Sequence, residues 1–484
     1  RNPTSKRDRR PSARRSIAAT WHRQLAIMFI FRLPVPPEGL TAEGMAVIGI
    51  FFAVLYGWLF LDIVWPSLLG LVALGLAINE PMTEVIGSAF GNSTVLLILL
   101  FCMVASIINA AGIAEWMARK IISLPIVRGR PYMLILMLAA AMSVLATMLT
   151  MTAAVVVGFP LIKEVCKQYG YKPGDTFPVM LFVAMFYIAD VAFMMLPFKA
   201  LPAVVFGVYS QLSDGHVINY TAYVGICAIQ LVLAVLFMLF LFRFILRPDV
   251  SRIVNGSADM SFNESLNSYQ KTILYSFCVL LVLLLLPNIA PADWAPADFL
   301  NRLTTNGQLI AYIGFYLLLN FKEGINIKAI MSKSVAWPAI FLVISVLKIT
   351  AAFSSTGVTH WLGELCKPLL QGYSEYALIF IVVVITTIAT QLTNNTAVAA
   401  TFAPIAYSLA LANGSMDPQS ILTCLTLTCT LGIATPAATA ASAVLHGDTE
   451  WVRARMIFRY ALPYWVFNIV MGTLITYNLC RIML

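Results

Sequence analysis

The residues with the clearest chemical potential lie at 389–405, which read ATQLTNNTAVAATFAPI. Apolar segments at residues 377–390 and 397–412 flank a polar cluster, which consists of Gln391, Thr393, Asn394, Asn395 and Thr396. Amides and hydroxyls between two lipid-compatible helices would be costly if they faced hydrocarbon. The cost is avoided if the segments form a hairpin whose polar tip lines a water-filled site. Because the second helix begins at this tip, its free N–H groups and positive dipole end would attract a small anion.

The composition indicates that apolar helices make up most of the chain. Of its 484 residues, 60% are hydrophobic and 11% are charged, and the mean hydropathy is +0.86. Soluble domains carry about 25% charged residues. Apolar runs of roughly 20 residues recur along the chain, which predicts an all-α polytopic membrane protein. The net charge of +9 comes from basic residues scattered over loops, which fits contact with membrane lipid and not nucleic-acid binding.

A second polar tip interrupts an earlier apolar region. Thr150 and Thr152 stand between apolar runs at residues 132–148 and 153–161. Residues in the two halves also match at nearly constant spacing, because Gly112 and Gly357 are 245 apart (357 − 112) and Thr152 and Thr396 are 244 apart (396 − 152). This spacing predicts an internal repeat with a hairpin in each half.

The predicted organisation has four parts. They are a basic, disordered N-terminus over residues 1–16, a first repeat over 17–246 with a hairpin at 131–164 and a broken helix at 177–209, a cytoplasmic linker over 247–271, and a second repeat over 272–484 with a hairpin at 374–412 and a broken helix at 421–445.

Loop charges predict how the two repeats are oriented. Basic residues flank the first hairpin on both sides, whereas only Lys367 precedes the second. By the positive-inside rule, the hairpins enter the membrane from opposite sides, as re-entrant elements of an inverted repeat, and the N-terminus is cytoplasmic. An even number of spans must then precede the first hairpin, so a helix near residues 17–34 is predicted to span. The expected location is a bacterial-type plasma membrane.

The two tips resemble those of the divalent anion/sodium symporter family of the ion-transporter superfamily, which carries a Ser-Asn-Thr motif at each tip. The second tip reads Asn394-Asn395-Thr396, with Asn in the place of Ser. The first reads Thr150-Met151-Thr152, with Met in the place of Asn. Residues 34–41, PVPPEGLT, are similar to the start of the family's exchanger branch. The resemblance extends over residues 34–480.

The resemblance implies a homodimer in which each subunit has a scaffold domain and a transport domain. It implies elevator-type transport of di- or tricarboxylates or sulfate, with sodium caged at the tips. Asn395, together with Thr435 and Thr439 of the second broken helix, would then supply oxygen ligands for one sodium ion.

Two charged residues, Asp190 and Lys199, lie inside the apolar segment at 177–209. A charge there costs at least about 2.5–3.5 kcal/mol on insertion scales. One interpretation is that Lys199 supplies a fixed positive charge in place of sodium, with Asp190 as its partner or as a proton carrier. The other is that the two residues form a structural pair that braces the broken helix. A third embedded charge, Lys348, is interpreted as structural.

The sequence therefore predicts a secondary active transporter of small anions, chiefly di- or tricarboxylates. The predicted substrate-binding residues are Thr150, Thr152, Asn394, Asn395, Thr396 and Lys199, and Asp190 is predicted to couple charge. Sodium symport and anion exchange both remain open, and the alternative is a sodium-independent or proton-linked antiporter of the same superfamily. No paired carboxylates or Ser/His constellation indicates an enzyme, and no GxxxxGK[ST] loop indicates an ATP-driven pump.

Overall fold

The computed structural model describes residues 10–256, 262, 264–291, 294–320, 335–370, 373–436 and 438–484. In this part of the chain, nine helices are long and apolar enough to cross a membrane. Three shorter apolar helices, Val64–Ala77, Ala200–Leu212 and Glu375–Ala389, accompany them. The prediction of an all-α polytopic membrane protein is confirmed.

The described part of the chain forms a series of α-helices. They are α1 (Arg10–Ile30), α2 (Ala42–Phe60), α3 (Val64–Ala77), α4 (Met82–Phe90), α5 (Ser93–Ala110), α6 (Ile113–Ile122), α7 (Pro131–Met148), α8 (Met151–Gln168), α9 (Thr176–Phe193), α10 (Ala200–Leu212), α11 (Tyr220–Phe240), α12 (Ser251–Asn255), α13 (Ser268–Leu285), α14 (Ala295–Asn320), α15 (Trp337–Ser355), α16 (Val358–Leu370), α17 (Glu375–Ala389), α18 (Asn395–Asn413), α19 (Pro418–Thr428), α20 (Ala440–Gly447), α21 (Ala454–Val470) and α22 (Tyr477–Met483).

The first helix differs from the other long helices in composition. It begins at Arg10, inside the segment expected to be disordered, while residues 1–9 lie outside the described part. Its 21 residues would reach across a bilayer core at 1.5 Å per residue, but it is not among the nine helices with spanning character. It packs along α2 and buries Gln24 and Met28. Its passage through the membrane stays a prediction.

The order of helices in the first half recurs in the second half. α5 and α15 begin 244 residues apart (337 − 93), as do α7 and α17 (375 − 131) and α8 and α18 (395 − 151). The spacing is 242 for α9 and α19 (418 − 176) and 240 for α10 and α20 (440 − 200). α11 and α21 both continue into π-helical turns, at Leu241–Leu246 and Met471–Thr476. Of the matching residues noted in the sequence, Thr152 and Thr396 thus fall on α8 and α18, and Gly112 and Gly357 fall in the turns before α6 and α16.

The two series of helices interlock. α7 and α8 form a hairpin, and so do α17 and α18. α10, which follows the interruption in the first series, packs against α18 of the second hairpin. α20, which follows the interruption in the second series, packs against α8 of the first hairpin. This reciprocal exchange brings the interrupted stretches, residues 194–199 and 429–439, next to the hairpin tips.

Candidate functional site

A cavity of about 290 Å³ lies where the two hairpin tips approach each other. Its lining comes from α5, both tips and both interrupted helices. The predicted site residues that line it are Thr150, Thr152, Asp190, Lys199, Asn394, Asn395, Thr396 and Thr439. Its apolar wall includes Ile98, Phe101, Met151, Phe193, Met194 and Phe198. The structure therefore brings together predicted site residues that are up to 289 positions apart in sequence (439 − 150).

The first tip is a tight turn that starts α8. Only Leu149 and Thr150 separate α7 from α8. Thr150 has extended backbone geometry, and its hydroxyl oxygen accepts a hydrogen bond of 3.3 Å from the amide of Ala153. A threonine in this position satisfies one of the free N–H groups at a helix start. Met151 and Thr152 follow on the cavity side, so the N-terminal turn of α8 faces the cavity.

The second tip is built in the same way from amides. The Asn394 side-chain oxygen accepts from the amides of Thr396 at 2.9 Å and Ala397 at 3.3 Å, which caps α18. The Asn395 side-chain nitrogen donates to the carbonyl of Thr430. Its Oδ1 is buried and has no hydrogen-bond partner within the described part of the chain. Buried amide oxygens are normally satisfied, so this atom is available to a ligand.

Gln391 holds the second interrupted stretch against this tip. Its Oε1 accepts from the amides of Ile433 at 3.1 Å and Ala434 at 3.0 Å, and its Nε2 donates to the carbonyl of Leu431 at 2.6 Å. These bonds replace helical hydrogen bonds that the chain gives up between α19 and α20. Gln391 was part of the polar cluster in the sequence but was not among the predicted site residues. Gln391 is a positioning residue. Its location four residues before Asn395 was the sequence feature that could have identified it.

The predicted sodium ligands lie at different places around this stretch. The Thr439 hydroxyl caps α20 by accepting from the amide of Ser442 at 2.9 Å, and Thr439 lines the cavity. The Thr435 hydroxyl donates to the carbonyl of Gln391 at 2.6 Å, and Thr435 is not part of the cavity lining. Gly432 precedes both threonines in the same stretch, and a Cβ at this position would be 2.8 Å from Asn395 Oδ1 and 2.9 Å from the carbonyl oxygen of Thr390. Two oxygens thus converge on Gly432.

Lys199 contacts the first tip and does not pair with Asp190. Its Nζ donates to the carbonyl of Ala146 at 2.5 Å and to that of Leu149 at 3.3 Å, at the carboxyl end of α7. The ammonium also lies 4.1 Å from the ring centre of Phe193. The idea that the two charges form a structural pair is therefore wrong. The physical reason is that the unpaired carbonyls at the end of a helix, with their negative dipole, attract the cation.

Asp190 is buried, lines the same cavity and forms no ion pair within the described residues. The Thr430 side chain lies near its carboxylate. Its Oδ2 has no partner in the described part of the molecule, and neither do the nearby hydroxyls of Tyr187 and Tyr464, whose rings are 4.7 Å apart. The burial of three polar groups without partners gives this region capacity to bind a proton, water or cation.

A smaller cavity of about 190 Å³ adjoins the first and shares Cys102, Ala105, Leu149 and Thr150 with it. It extends along α5 to Asn109. This wall was not predicted from the sequence. The signal was present, since the α5 residues of the two cavities recur at intervals of three and four and thus share one helix face.

Lys348 lies outside the cavity lining. Its Nζ is 2.7 Å from a carboxylate oxygen of Glu80 and 2.9 Å from the Ser88 hydroxyl. This arrangement ties α15 to α4 and the turn before it. The structural interpretation of Lys348 thus agrees with its contacts.

An all-helical membrane protein with a central cavity between interrupted helices and hairpin tips has the architecture of a secondary transporter. The family model for citrate transporters matches residues 47–428, so the chain belongs to the citrate transporter family. The family resemblance inferred from the two tips is confirmed. The chain is a multi-pass membrane transporter and not an enzyme.

The relatives agree with this assignment. The chain is 23% identical to the sodium-dependent dicarboxylate transporter SdcS of Staphylococcus saprophyticus, over 94% of this chain and 89% of the relative. The YdaH transporter of Alcanivorax borkumensis has a similar fold, with a TM-score of 0.65 at 16% identity, covering 83% of this chain and 88% of that one. MtrF of Neisseria gonorrhoeae, described among antimetabolite efflux pumps, has a TM-score of 0.60 at 14% identity, covering 95% of this chain and 98% of that one.

Proposed function

We propose that this protein is a secondary active transporter that carries small anions of the di- and tricarboxylate class. The observation that carries the proposal is that both hairpin tips present the start of a helix to one cavity. α8 and α18 both begin there, each with a capped first turn and hydroxyl or amide side chains. Two positive dipole ends and several hydrogen-bond donors suit a solute with carboxylates at both ends. Membership of the citrate transporter family and the dicarboxylate relative support the same class.

The substrate would lie between the tips. Its carboxylate oxygens would accept hydrogen bonds from the hydroxyls of Thr150, Thr152 and Thr396 and from the amides of Asn394 and Asn395. Lys199 adds a positive charge to the same space. The volume of about 290 Å³ is at the lower end of the range for small-molecule sites, which fits a compact di- or tricarboxylate.

Sodium fits the second tip as a coupling ion that travels with the substrate. Alkali cations prefer oxygen ligands, and Asn395 Oδ1, which has no partner in the described chain, lies close to the Thr390 carbonyl beside Gly432. Thr439 contributes a hydroxyl at the cavity wall, whereas Thr435 holds the loop in place. The relative whose name states sodium dependence supports symport. Exchange of one anion for another uses the same cavity and needs no cation.

An elevator-type movement would carry the cavity across the membrane. The proposed units are the repeats at residues 17–246 and 272–484, joined by the linker at 247–271, and inverted in the membrane with re-entrant hairpins. The smaller cavity runs toward the carboxyl end of α5, and the basic residues on α6 support a cytoplasmic location for this end. The structure would thus represent an inward-facing state. The full assembly would be a homodimer in a bacterial-type plasma membrane, with a cytoplasmic N-terminus.

A second candidate function is a proton-linked antiporter. Asp190 favours it, because this residue is the only carboxylate among the described residues that line the cavity and its Oδ2 has no partner there. Under this alternative, Asp190→Asn would abolish the pH dependence of flux and leave any sodium dependence in place.

Flux through proteoliposomes tests the proposal and separates the coupling modes. The purified protein would be reconstituted, and uptake of labelled citrate, succinate and sulfate would be measured under a sodium gradient, a pH gradient or an internal load of unlabelled anion. We expect saturable uptake of at least one carboxylate above protein-free liposomes. Absence of uptake of every anion in all three conditions would contradict the proposal.

A further inference from the structure

The ammonium of Lys199 sits among groups that only accept hydrogen bonds. Two backbone carbonyls, of Ala146 and Leu149, and the face of Phe193 surround it. The residue is only 5% exposed, although it lines the cavity. An ammonium has three donors and no acceptor, so this surrounding suits the charged form of lysine. The contacts of Lys199 thus suit a cation that the chain itself carries at the first tip.

The matching place in the second half has similar oxygens but no amine. Lys199 is the residue before α10, and Thr439 is the residue before α20, so the two positions correspond in the two halves (439 − 199 = 240). Ala146 corresponds to Thr390 at the hairpin spacing (390 − 146 = 244), and the carbonyl of Thr390 converges with Asn395 Oδ1 near Gly432. Lys199 is the only cationic side chain among the described residues that line the cavity. The two tips thus present comparable oxygen groups, and only the first has an amine of the chain in contact with them.

We propose that Lys199 is a tethered cation that takes the place of a mobile ion at the first tip. Anion binding would then require at most one mobile cation, and that cation would bind at the second tip. This inference rests on the proposed function of anion transport. Its competitor is that Lys199 merely caps the carboxyl end of α7 and contributes nothing to binding.

The test compares how anion affinity depends on sodium. The full-length purified protein would be titrated with citrate and with succinate over a series of sodium concentrations, with N-methylglucamine keeping the ionic strength constant. The quantity compared is the slope of log affinity against log sodium concentration. Lys199→Met removes the charge and nearly keeps the volume, and Lys199→Arg keeps the charge. Lys348→Met is the matched control, because it removes another embedded ammonium that lies outside the cavity lining.

We expect Lys199→Met to bind at least about tenfold more weakly at low sodium, because a nearby positive charge is lost. Its slope should be one unit steeper than that of the wild type, since sodium can now enter the first tip. Lys199→Arg and Lys348→Met should keep the wild-type slope. Wild-type affinity and slope in Lys199→Met would overturn the inference, and so would a loss of affinity that sodium does not restore.

A second measurement needs no anion. Sodium should raise the unfolding temperature of Lys199→Met by more than it raises that of the wild type, because the variant gains a site for it. An equal rise in both would contradict the inference. If the wild type bound neither citrate nor succinate, the proposed function would fail, and the unfolding comparison would still decide the role of Lys199. Lys199→Gln replaces Lys199→Met if the latter does not fold, as judged by size-exclusion chromatography.

Discussion

The two hairpin tips share a backbone plan and differ in how their polar groups are satisfied. At the first tip, Met151 offers no strong hydrogen-bonding group, and Lys199 satisfies the carbonyls at the end of α7. At the second tip, Asn394 and Asn395 supply amides, and one amide oxygen has no partner among the described residues. The comparison shows that a lysine of the chain satisfies the oxygens at the first tip, whereas the second tip keeps an amide oxygen that a solute could contact.

The interrupted stretches show a parallel difference. The first is short, and its Met194 carbonyl accepts from the Tyr223 hydroxyl at 2.7 Å. The second is longer, and side chains from two helices and the second tip hold its carbonyls. Besides Gln391, these are Ser442 on Gly432, His446 on Ile433 at 2.9 Å and Trp465 on Leu431 at 3.3 Å. These hydrogen bonds fix the shape of the second stretch, and the proposed site of the mobile cation lies beside it, at Asn395 Oδ1.

The largest expected effect comes from filling the space beside the second tip with a methyl group. In Gly432→Ala, the new Cβ would lie within 3 Å of Asn395 Oδ1 and of the Thr390 carbonyl. This crowding should cost citrate uptake about 100-fold, the upper end of an overpacking penalty. Gly447→Ala is the control, because no atom lies within 4 Å of a Cβ there. Equal uptake by both variants would remove the basis for a second-tip cation site.

The next effect comes from removing the unpartnered oxygen. Asn395→Ala should raise the sodium concentration for half-maximal citrate uptake about tenfold or more, because an oxygen that contacts a cation is lost. Asn92→Ala is the matched control, since Asn92 also begins a helix but caps α5 away from the cavity. Sodium titrations of uptake measure the difference. An unchanged sodium requirement in Asn395→Ala would contradict the proposal that the second tip binds sodium through this oxygen.

A smaller effect is expected at the first tip. Thr150→Ala removes the cap of α8 and one hydroxyl from the cavity, and it should weaken citrate binding about fivefold, in line with a cap worth about 1 kcal/mol. Thr41→Ala removes an equivalent threonine cap from α2, where the hydroxyl accepts from Gly44 at 2.9 Å. Calorimetric titration should show weaker binding only for the first variant. Equal affinities would mean that α8 does not face the substrate.

The smallest effect is expected at Thr435, which was predicted from the sequence as a sodium ligand. Its hydroxyl bonds to the Gln391 carbonyl, outside the cavity lining. Thr435→Val should therefore lower stability by about 1 kcal/mol and change sodium affinity less than about twofold. Thermal unfolding and sodium titration measure the two quantities. A large loss of sodium affinity would restore Thr435 as a ligand and weaken the division of roles drawn here.

The polar tips and the helical class were predictable because both depend on local composition. Hydroxyls and amides between half-length apolar segments stand out in the sequence, and all five predicted tip residues line the cavity. The partner of Lys199 was not predictable, since the carbonyls of Ala146 and Leu149 carry no signature in their side chains. The contacts of Gln391 and the position of Thr435 outside the cavity lining were not predictable either. Both depend on how the loop between α19 and α20 folds, which residue spacing along the chain does not encode.

Electron cryo-microscopy of the protein in sodium citrate tests the central claim most directly. The account predicts density for citrate between the N-terminal turns of α8 and α18, in contact with Thr152 and Thr396. It also predicts a separate ion density at Asn395 Oδ1 and continuous Lys199 density at the first tip. Citrate density elsewhere in the protein, with the space between the tips unchanged from a citrate-free sample, would contradict the account.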